Sequence, residues 1–182
     1  PLKPGDLTLS RLETPLVHLN ETAHVDWTGI TFEAGRGTGV LITGGEHCAL
    51  RGSTLHNLGG EAVTIDGGWS HTVQSCDLFD LSNGAIRVVG GDRATLTASG
   101  HRVENNHIHH FSQWLRTGQY GVRIDGVGHV IAHNLLHDAP FEAMYLRGND
   151  HLVEYNEVHR VCLETGDAGA IHTGRDYTWQ GN

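Results

Sequence analysis

The segment CLETGDAGAIHTGRD, close to the end of the chain, gathers residue types that can perform acid–base chemistry. The carboxylates Glu164, Asp167 and Asp176 can donate or accept protons. His172 and Arg175 add hydrogen-bond donors for a polar substrate. The loop before its apolar residues is longer than the corresponding loop in most other repeats, and function tends to lie in loops that depart from a rigid scaffold. The segment is therefore a candidate site.

A second chemical candidate is the segment VENNHIHHF, which contains three of the 15 histidines of the chain. Histidines at this density can ligate a metal, take part in catalysis or fill a structural role. The choice depends on the element that carries them. The periodicity of the sequence therefore has to be established first.

The chain is an internal repeat with a unit of 22–23 residues. Six short alternating segments superimpose, GVLITGG, AVTIDGG, AIRVVGG, GVRIDGV, AMYLRGN and AIHTGRD, and they start 23, 23, 36, 22 and 27 residues apart. Between them lies a second strand that is broken after its sixth residue. Short strands without a helical period predict an all-β, right-handed parallel β-helix of about 6–7 turns.

Four apolar columns are expected to fill the core, because equivalent residues stack from turn to turn. The register that we predict for the inward columns is Val40, Val63, Ile86, Val122, Met144 and Ile171, then Ile42, Ile65, Val88, Ile124 and Leu146, then Leu50, Val73, Val103, Ile131 and Val153, then Leu55, Leu78, Ile108, Leu136 and Val158.

Asn106, Asn134 and Asn156 occupy the break in the second strand. Asparagine tolerates left-handed backbone, and its amide can bond to the same amide in the next turn, so an asparagine ladder is expected. Ser53 and Cys76 take this position in earlier turns. Loop insertions are expected near 90–100 and 112–120, overhanging a groove.

Two further columns contain most of the histidines, so we expect stacked, largely neutral imidazoles rather than zinc ligands, and we assign no metal ligand. Like charges one turn apart would push their pKa values down. His107 and His110 are left without a role. The predicted columns are His24, Cys48, His71, His101, His129 and His151, and Phe32, His56, Phe79, His109, His137 and His159.

The outward columns of the unbroken strand change character along the chain, from Leu and Thr to charged and aromatic residues. Carboxylates, arginines and an aromatic ring on one face suit a polysaccharide enzyme, although alternating ion pairs such as Asp125 with Arg147 would produce the same pattern. The predicted patch contains Arg123, Asp125, Tyr145, Arg147 and His172, with Glu142, Glu164, Asp167, Arg175 and Asp176 on its loops.

Composition excludes several partners. The formal charge of −9, from 12 Lys and Arg against 21 Asp and Glu, argues against nucleic acid. No apolar run approaches the length of a membrane helix, so no membrane partner is expected. The three cysteines fit neither a zinc site nor a disulfide framework. Residues 1–182 are read as one domain, an excised portion of a longer protein, whose ends could self-associate through exposed strand edges.

The segments HDAP, GNDHLVEYNEVH and CLETGDAGAIHTGRD resemble right-handed parallel β-helix carbohydrate-active enzymes, nearest to glycoside hydrolase family 141, which includes α-L-fucosidases and xylanases. The resemblance is best over residues 100–182. It implies a glycosidase that acts on a polysaccharide or oligosaccharide without a cofactor. It makes Asp167 and Asp176 the catalytic carboxylates, with His172 and Arg175 as substrate contacts and Asp125 as the reserve acid. The location of the protein stays open, and an extracellular or periplasmic one is compatible with the resemblance.

Two alternatives remain at the sequence level. A uronate lyase or epimerase on the same fold would neutralise a substrate carboxylate with calcium or an arginine, and Arg123, Arg147 and Arg175 suit that role. A solenoid adhesin or an inactive fragment would bind without turnover.

Overall fold

Each turn of the chain contributes one strand to each of three parallel sheets. In a computed structural model that describes residues 3, 7–174 and 176–182, these sheets form a parallel β-solenoid of about seven turns, and the described residues contain no helix. None of them therefore forms a helix that could cross a membrane. The predicted fold class is confirmed at the level of an all-β parallel solenoid.

Sheet 1 is formed by the unbroken strands and has seven members. Its strands, in spatial order, are β1 (Val17–Asn20), β4 (Val40–Thr43), β7 (Val63–Asp66), β10 (Ile86–Gly90), β13 (Val122–Val127), β16 (Met144–Asn149) and β19 (Ile171–Thr173).

The broken strand of each turn supplies sheets 2 and 3, with six strands each. Sheet 2 contains β2 (Asp26–Thr28), β5 (Ala49–Arg51), β8 (Thr72–Gln74), β11 (Arg102–Glu104), β14 (Val130–Ala132) and β17 (Leu152–Glu154). Sheet 3 contains β3 (Thr31–Glu33), β6 (Thr54–Leu58), β9 (Asp77–Leu81), β12 (His107–His109), β15 (Leu135–His137) and β18 (Glu157–His159).

The strand register confirms all four predicted columns, and their members are buried or half-buried except Ile171 in the last strand, which is 49% exposed. Side chains such as Ile65, Val103 and Leu136 are fully buried inside the coil. Burial of this continuous apolar interior is the main force that holds the turns together, because each turn contacts only its neighbours.

The predicted positions of Phe32 and His24 are wrong by one residue. Phe32 pairs with Leu55 and points into the core, where it is 6% exposed. His24 stacks on His47 rather than aligning with Cys48. A shift of one residue exchanges the inward and outward faces of a strand. The expectation for the first turn matches residues by identity with the later turns, whereas the structure follows the alternation of apolar residues.

Three corners with left-handed backbone close each turn. The first corner passes through His24, His47, Ser70, Gly100, Gly128 and Asp150, the second through Gly29, Gly52, Ser75, Asn105, His133 and Tyr155, and the third through Ala34, Asn57, Asp80, His110, Asp138 and Arg160, all with φ between 49° and 71°. The first and third corners are ten residues apart in every turn. The segment of chain that carries the strands of sheets 2 and 3 therefore has the same length in every turn.

The asparagines at the strand break are linked through their side chains. Asn106 Nδ2 donates to Asn134 Oδ1 at 2.9 Å, and Asn134 Nδ2 donates to Asn156 Oδ1 at 2.9 Å. Asn106 and Asn134 are almost completely buried, and each also donates to a backbone carbonyl of the preceding turn. In the second turn, Ser53 replaces the asparagine and its Oγ accepts from Ile30 N at 3.2 Å.

One of the two predicted histidine columns forms a stack at the start of sheet 2. It contains His71, His101, His129 and His151, with ring centroids 4.8–5.5 Å apart. Nδ1 of His71, His101 and His151 accepts from a backbone N–H of the neighbouring turn, so the proton lies on Nε2. These are neutral structural imidazoles, as the repeat predicted. Burial, rather than charge repulsion, is the main cause that lowers the pKa of His101 to about 3 and of His129 to about 4.

Candidate functional site

The outer face of sheet 1 carries the predicted patch on its last three strands. The register places Arg123 beside Tyr145 and Tyr145 beside His172. It places Asp125 beside Arg147 in the neighbouring outward column. Strand alternation points all five side chains away from the core, so the structure brings these five predicted residues together.

Tyr145 lies at the centre of an aromatic cluster. Its ring stacks on Tyr120 with centroids 4.8 Å apart, and the imidazole of His172 lies 5.1 Å from it on the next strand. Tyr120 also meets Phe141 edge-on at 5.6 Å. Burial, followed by the nearby Glu142 carboxyl, raises the pKa of Tyr120. These rings form a surface on which the apolar face of a sugar can stack.

Two arginines flank Tyr145, with the guanidinium of Arg123 5.9 Å and that of Arg147 6.0 Å from the ring centroid. Arg147 Nη1 also lies 3.2 Å from Asp125 Oδ2, so the ion pair considered from the sequence is present. Arg147 Nε is buried without an acceptor, and so is the indole Nε1 of the neighbouring Trp179. Both donors are buried as well as unsatisfied, so a ligand hydroxyl or carboxylate could reach them only if the covering side chains moved.

Glu142 is the buried carboxylate of this face. It precedes β16, is 2% exposed, and lies 3.2–3.3 Å from His172 Nδ1 through both carboxylate oxygens. Because Nδ1 approaches a carboxylate, it carries a proton, and in the neutral imidazole Nε2 is then the free acceptor. Glu142 therefore orients His172.

Asp167 and Asp176 lie beyond opposite ends of β19. Asp167 is exposed and lines a depression of about 550 Å³ together with Glu142 and His172. Asp176 lines a separate depression with Trp179, and the two hollows share only Thr173. The paired carboxylates that the sequence suggested are therefore divided between two surface hollows.

Asp176 and Glu164 are engaged with other groups. Hydrogen bonds from Thr178, and then the Arg93 guanidinium 3.6 Å away, hold the pKa of Asp176 below its usual value. Glu164 is bound by Arg116, whose Nε donates at 2.6 Å, and this contact lowers the pKa of Glu164. Both carboxylates are exposed, so these contacts position loops more than they stabilise the fold. Arg175 lies outside the described residues.

Sequence reasoning missed four residues of the site that the loops contribute. Arg93 comes from the 91–100 loop, donates to Asn149 and reaches Thr178. Arg116 and Tyr120 come from the loop that precedes β13. Trp179 covers Gly174, where an added Cβ would lie 1.6 Å from the indole ring. Position in the two insertions was the only available signal for the first three, because loop residues have no counterpart in the repeat.

The length of the turns varies only beside sheet 1. From the third corner to the next first corner the chain spans 20 residues between Asp80 and Gly100, but 12 between Asp138 and Asp150. Both insertions and the 161–170 loop enter or leave this sheet. Because variable loops on a constant scaffold are where binding sites form, this distribution favours sheet 1 as the functional face.

Comparison of the chain with protein-family models, curated proteins and solved structures gives no match. The described geometry therefore carries the functional argument.

Proposed function

We propose that the chain binds an oligosaccharide or polysaccharide across the last three strands of sheet 1 and hydrolyses a glycosidic bond there. The observation that carries the proposal is the meeting of a buried carboxylate, Glu142, and an exposed one, Asp167, at one depression. Most glycosidases use two carboxyl groups, one to protonate the leaving oxygen and one to attack the sugar or activate water.

The geometry favours Glu142 over Asp176 as the partner of Asp167. Glu142 and Asp167 line the same hollow, whereas Asp176 is held by Thr178 and Arg93 beyond the other end of β19. This replaces the carboxylate pair that the family 141 resemblance implied, but it keeps the two-carboxylate chemistry on sheet 1, now between the loops that precede β16 and β19. His172 then serves as a substrate contact held in place by Glu142.

The surroundings of the hollow supply what sugar recognition needs. Tyr145 and Tyr120 offer a stacking surface beside His172. Arg123 and Arg147 place guanidinium groups beside the Tyr145 ring, where they can donate to sugar hydroxyls. A hollow of about 550 Å³ lies within the range of small-ligand sites.

A matched set of carboxamides tests the proposal. We expect Glu142→Gln and Asp167→Asn each to reduce the release of reducing sugar from a responsive glycan by about 10²–10⁴-fold, because each removes one group of the proton-transfer pair. Asp176→Asn should retain activity within a few-fold, because that carboxylate lies outside the hollow. Turnover that survives Glu142→Gln and is lost in Asp176→Asn would contradict the assignment. Binding without turnover on a broad glycan panel would favour an adhesin.

The Glu142–His172 contact favours a second candidate, a uronate lyase or epimerase. A histidine with a free Nε2 beside Arg123 and Arg147 could remove a ring proton while an arginine, or added calcium, neutralises the substrate carboxylate. Ultraviolet absorbance of an unsaturated product would identify a lyase, and reducing sugar without that absorbance would identify a hydrolase. His172→Gln should abolish the lyase reaction and only weaken hydrolysis.

A further inference from the structure

The outer face of sheet 3 carries a cluster of imidazoles around one carboxylate, on a different sheet from the candidate site. Asp77 on β9 pairs in register with His107 on β12, and His109 is two residues further along the same strand. Alternation on a strand places His107 and His109 on one face, so both rings border the Asp77 carboxylate.

Three donor atoms converge at this point. Asp77 Oδ1 lies 3.1 Å from His107 Nδ1 and 3.5 Å from His109 Nε2, and all three atoms lie within 4.8 Å of one another. Ligands at zinc-like bond lengths of about 2.0–2.1 Å in a tetrahedron are separated by about 3.3 Å. The two distances from Asp77 Oδ1 bracket this value, so the carboxylate oxygen already has the spacing of a shared coordination sphere with each imidazole nitrogen.

Asp77 Oδ1 is an unsatisfied atom. It is buried from solvent and has no hydrogen-bond partner, because its 3.1 Å contact with His107 lacks hydrogen-bond geometry. A buried carboxylate oxygen without a donor is costly. Asp77 Oδ1 therefore has room for a positively charged partner on the side that faces both histidines.

The tautomers of the surrounding histidines follow from their partners. Asp138 is bound by Arg160 and its pKa is lowered to about 2, so it is ionised and His137 Nδ1 must donate to it at 2.7 Å. In neutral His137, Nε2 is then an acceptor, and His107 Nε2 must donate to it at 2.8 Å. His107 Nδ1 is left as a lone pair that faces Asp77 Oδ1.

The contacts of His109 admit the matching tautomer. Its Nδ1 lies 2.7 Å from His110 Nδ1, and the metal-binding form is the one in which His109 donates the proton of this contact, so that a lone pair on Nε2 faces Asp77. Metal-bound histidines characteristically donate their second N–H to an outer acceptor, which fixes the tautomer and the ring orientation. Here both rings have such an acceptor, His137 for His107 and His110 for His109.

We propose that Asp77, His107 and His109 form a binding site for a divalent transition-metal ion with zinc-like preferences, with His137 and His110 as its orienting acceptors. Two imidazole nitrogens and one carboxylate oxygen are a ligand set that zinc accepts with a water in the fourth position. The side chains of His107 and Asp77 are 42% and 46% exposed, so a water or a small ligand can reach that position.

The test is titration of the chain, carrying no polyhistidine tag, with Zn²⁺ against a chromophoric chelator. We expect one tight ion per chain. Residues at the equivalent positions of neighbouring turns suggest replacements that the fold tolerates. Asp77→Thr introduces the residue type of Thr54, and His107→Leu introduces that of Leu135. Each should weaken binding at least about 100-fold, and His137→Phe, which copies Phe79, about 10–100-fold. Absence of a tight ion, or unchanged affinity in the first two variants, would overturn the proposal.

His159→Phe is the matched control, because His159 occupies the same stacked column as His109 and His137 but lies outside the three-ligand set. It should keep the ion, and an equal loss in this variant would indicate dispersed binding by exposed histidines and contradict the site. A second measurement needs no substitution: ¹H–¹⁵N spectra of the imidazoles should show His107 protonated on Nε2 and His109 on Nδ1 when Zn²⁺ is bound. The opposite tautomers would exclude the proposed coordination.

Discussion

The position of a histidine within the turn determines which hydrogen-bond partners its two ring nitrogens have. In the stack at the start of sheet 2, Nδ1 of His71 accepts a backbone N–H and its Nε2 donates to Gly44 O. Both nitrogens are then satisfied in the neutral form, and protonation would leave a second donor without an acceptor. On sheet 3 the partners of His107 and His109 are other imidazoles and a carboxylate, which leaves nitrogen lone pairs exposed to a cation.

The buried stack predicts acid-sensitive stability. The folded pKa values of His101 and His129, about 3 and about 4, lie below the unfolded value, so protons bind first to the unfolded chain as pH falls through about 6.5. Each should lower the free energy of unfolding by about 2 kcal/mol between pH 7 and pH 5, and continue to do so down to its folded pKa. Denaturant unfolding at the two pH values measures the difference.

His101→Cys, which places in the stack the residue type already present at Cys48, should reduce this pH difference by about 2 kcal/mol, because one proton fewer is taken up on unfolding. His159→Phe removes a half-exposed histidine and should leave the difference nearly unchanged. An unchanged difference in His101→Cys would show that the buried stack is not its source.

The corner elements depend on side-chain amides rather than on backbone bonds alone. Asn134 accepts from Asn106 through Oδ1 and donates to Val103 O, and all three groups are buried. Asn134→Ala should lower the free energy of unfolding by about 3 kcal/mol, because it leaves the buried Asn106 N–H and Val103 carbonyl without their hydrogen-bond partner. Asn134→Ser should lose less, since a serine oxygen accepts at the same position in Ser53. Chemical denaturation of the two variants measures this order, and equal losses would contradict it.

Much of the strand architecture could be predicted from the sequence, because apolar alternation fixes which side of a strand is inside and equivalent residues must then stack. The neighbours Arg123, Tyr145 and His172 followed directly from that register. Phe32 was misplaced where residue identity was given more weight than alternation.

The loop contributions to the site could not be predicted in the same way. Arg93 reaches Thr178 across 85 residues, and nothing in a local period encodes such a contact. The division of Asp167 and Asp176 between two hollows likewise depends on how each loop folds beside β19. The sequence places Glu142 in the predicted patch, but its burial depends on how the loops pack and not on the strand register.

At the scale of the whole molecule, stability should vary along the solenoid axis. Strands of the middle turns, such as β7 and β13, are buried and paired on both sides, whereas β1 and β19 have one neighbour each and are partly exposed. Because each turn interacts only with adjacent turns, hydrogen exchange should be slowest in the peptides of β7, β10 and β13 and fastest at the two end strands.

Mass-spectrometric exchange at several protein concentrations measures this gradient. Protection of β19 that rises with concentration would support the predicted association through the ends, which the edge strands permit. Uniform protection from β1 to β19 at every concentration would contradict a turn-by-turn distribution of stability.

The ten-residue interval between the first and third corners bears on how the chain can be altered. One residue added between Gly100 and His110 would reverse the inward and outward faces of the strand that follows it within this interval, because side chains alternate along a strand. A peptide grafted into the 91–100 loop would leave sheets 2 and 3 in register, since natural turns already differ by several residues at this location. The solenoid could therefore display a peptide inserted into this loop, next to the Trp179 ring over which Arg93 lies.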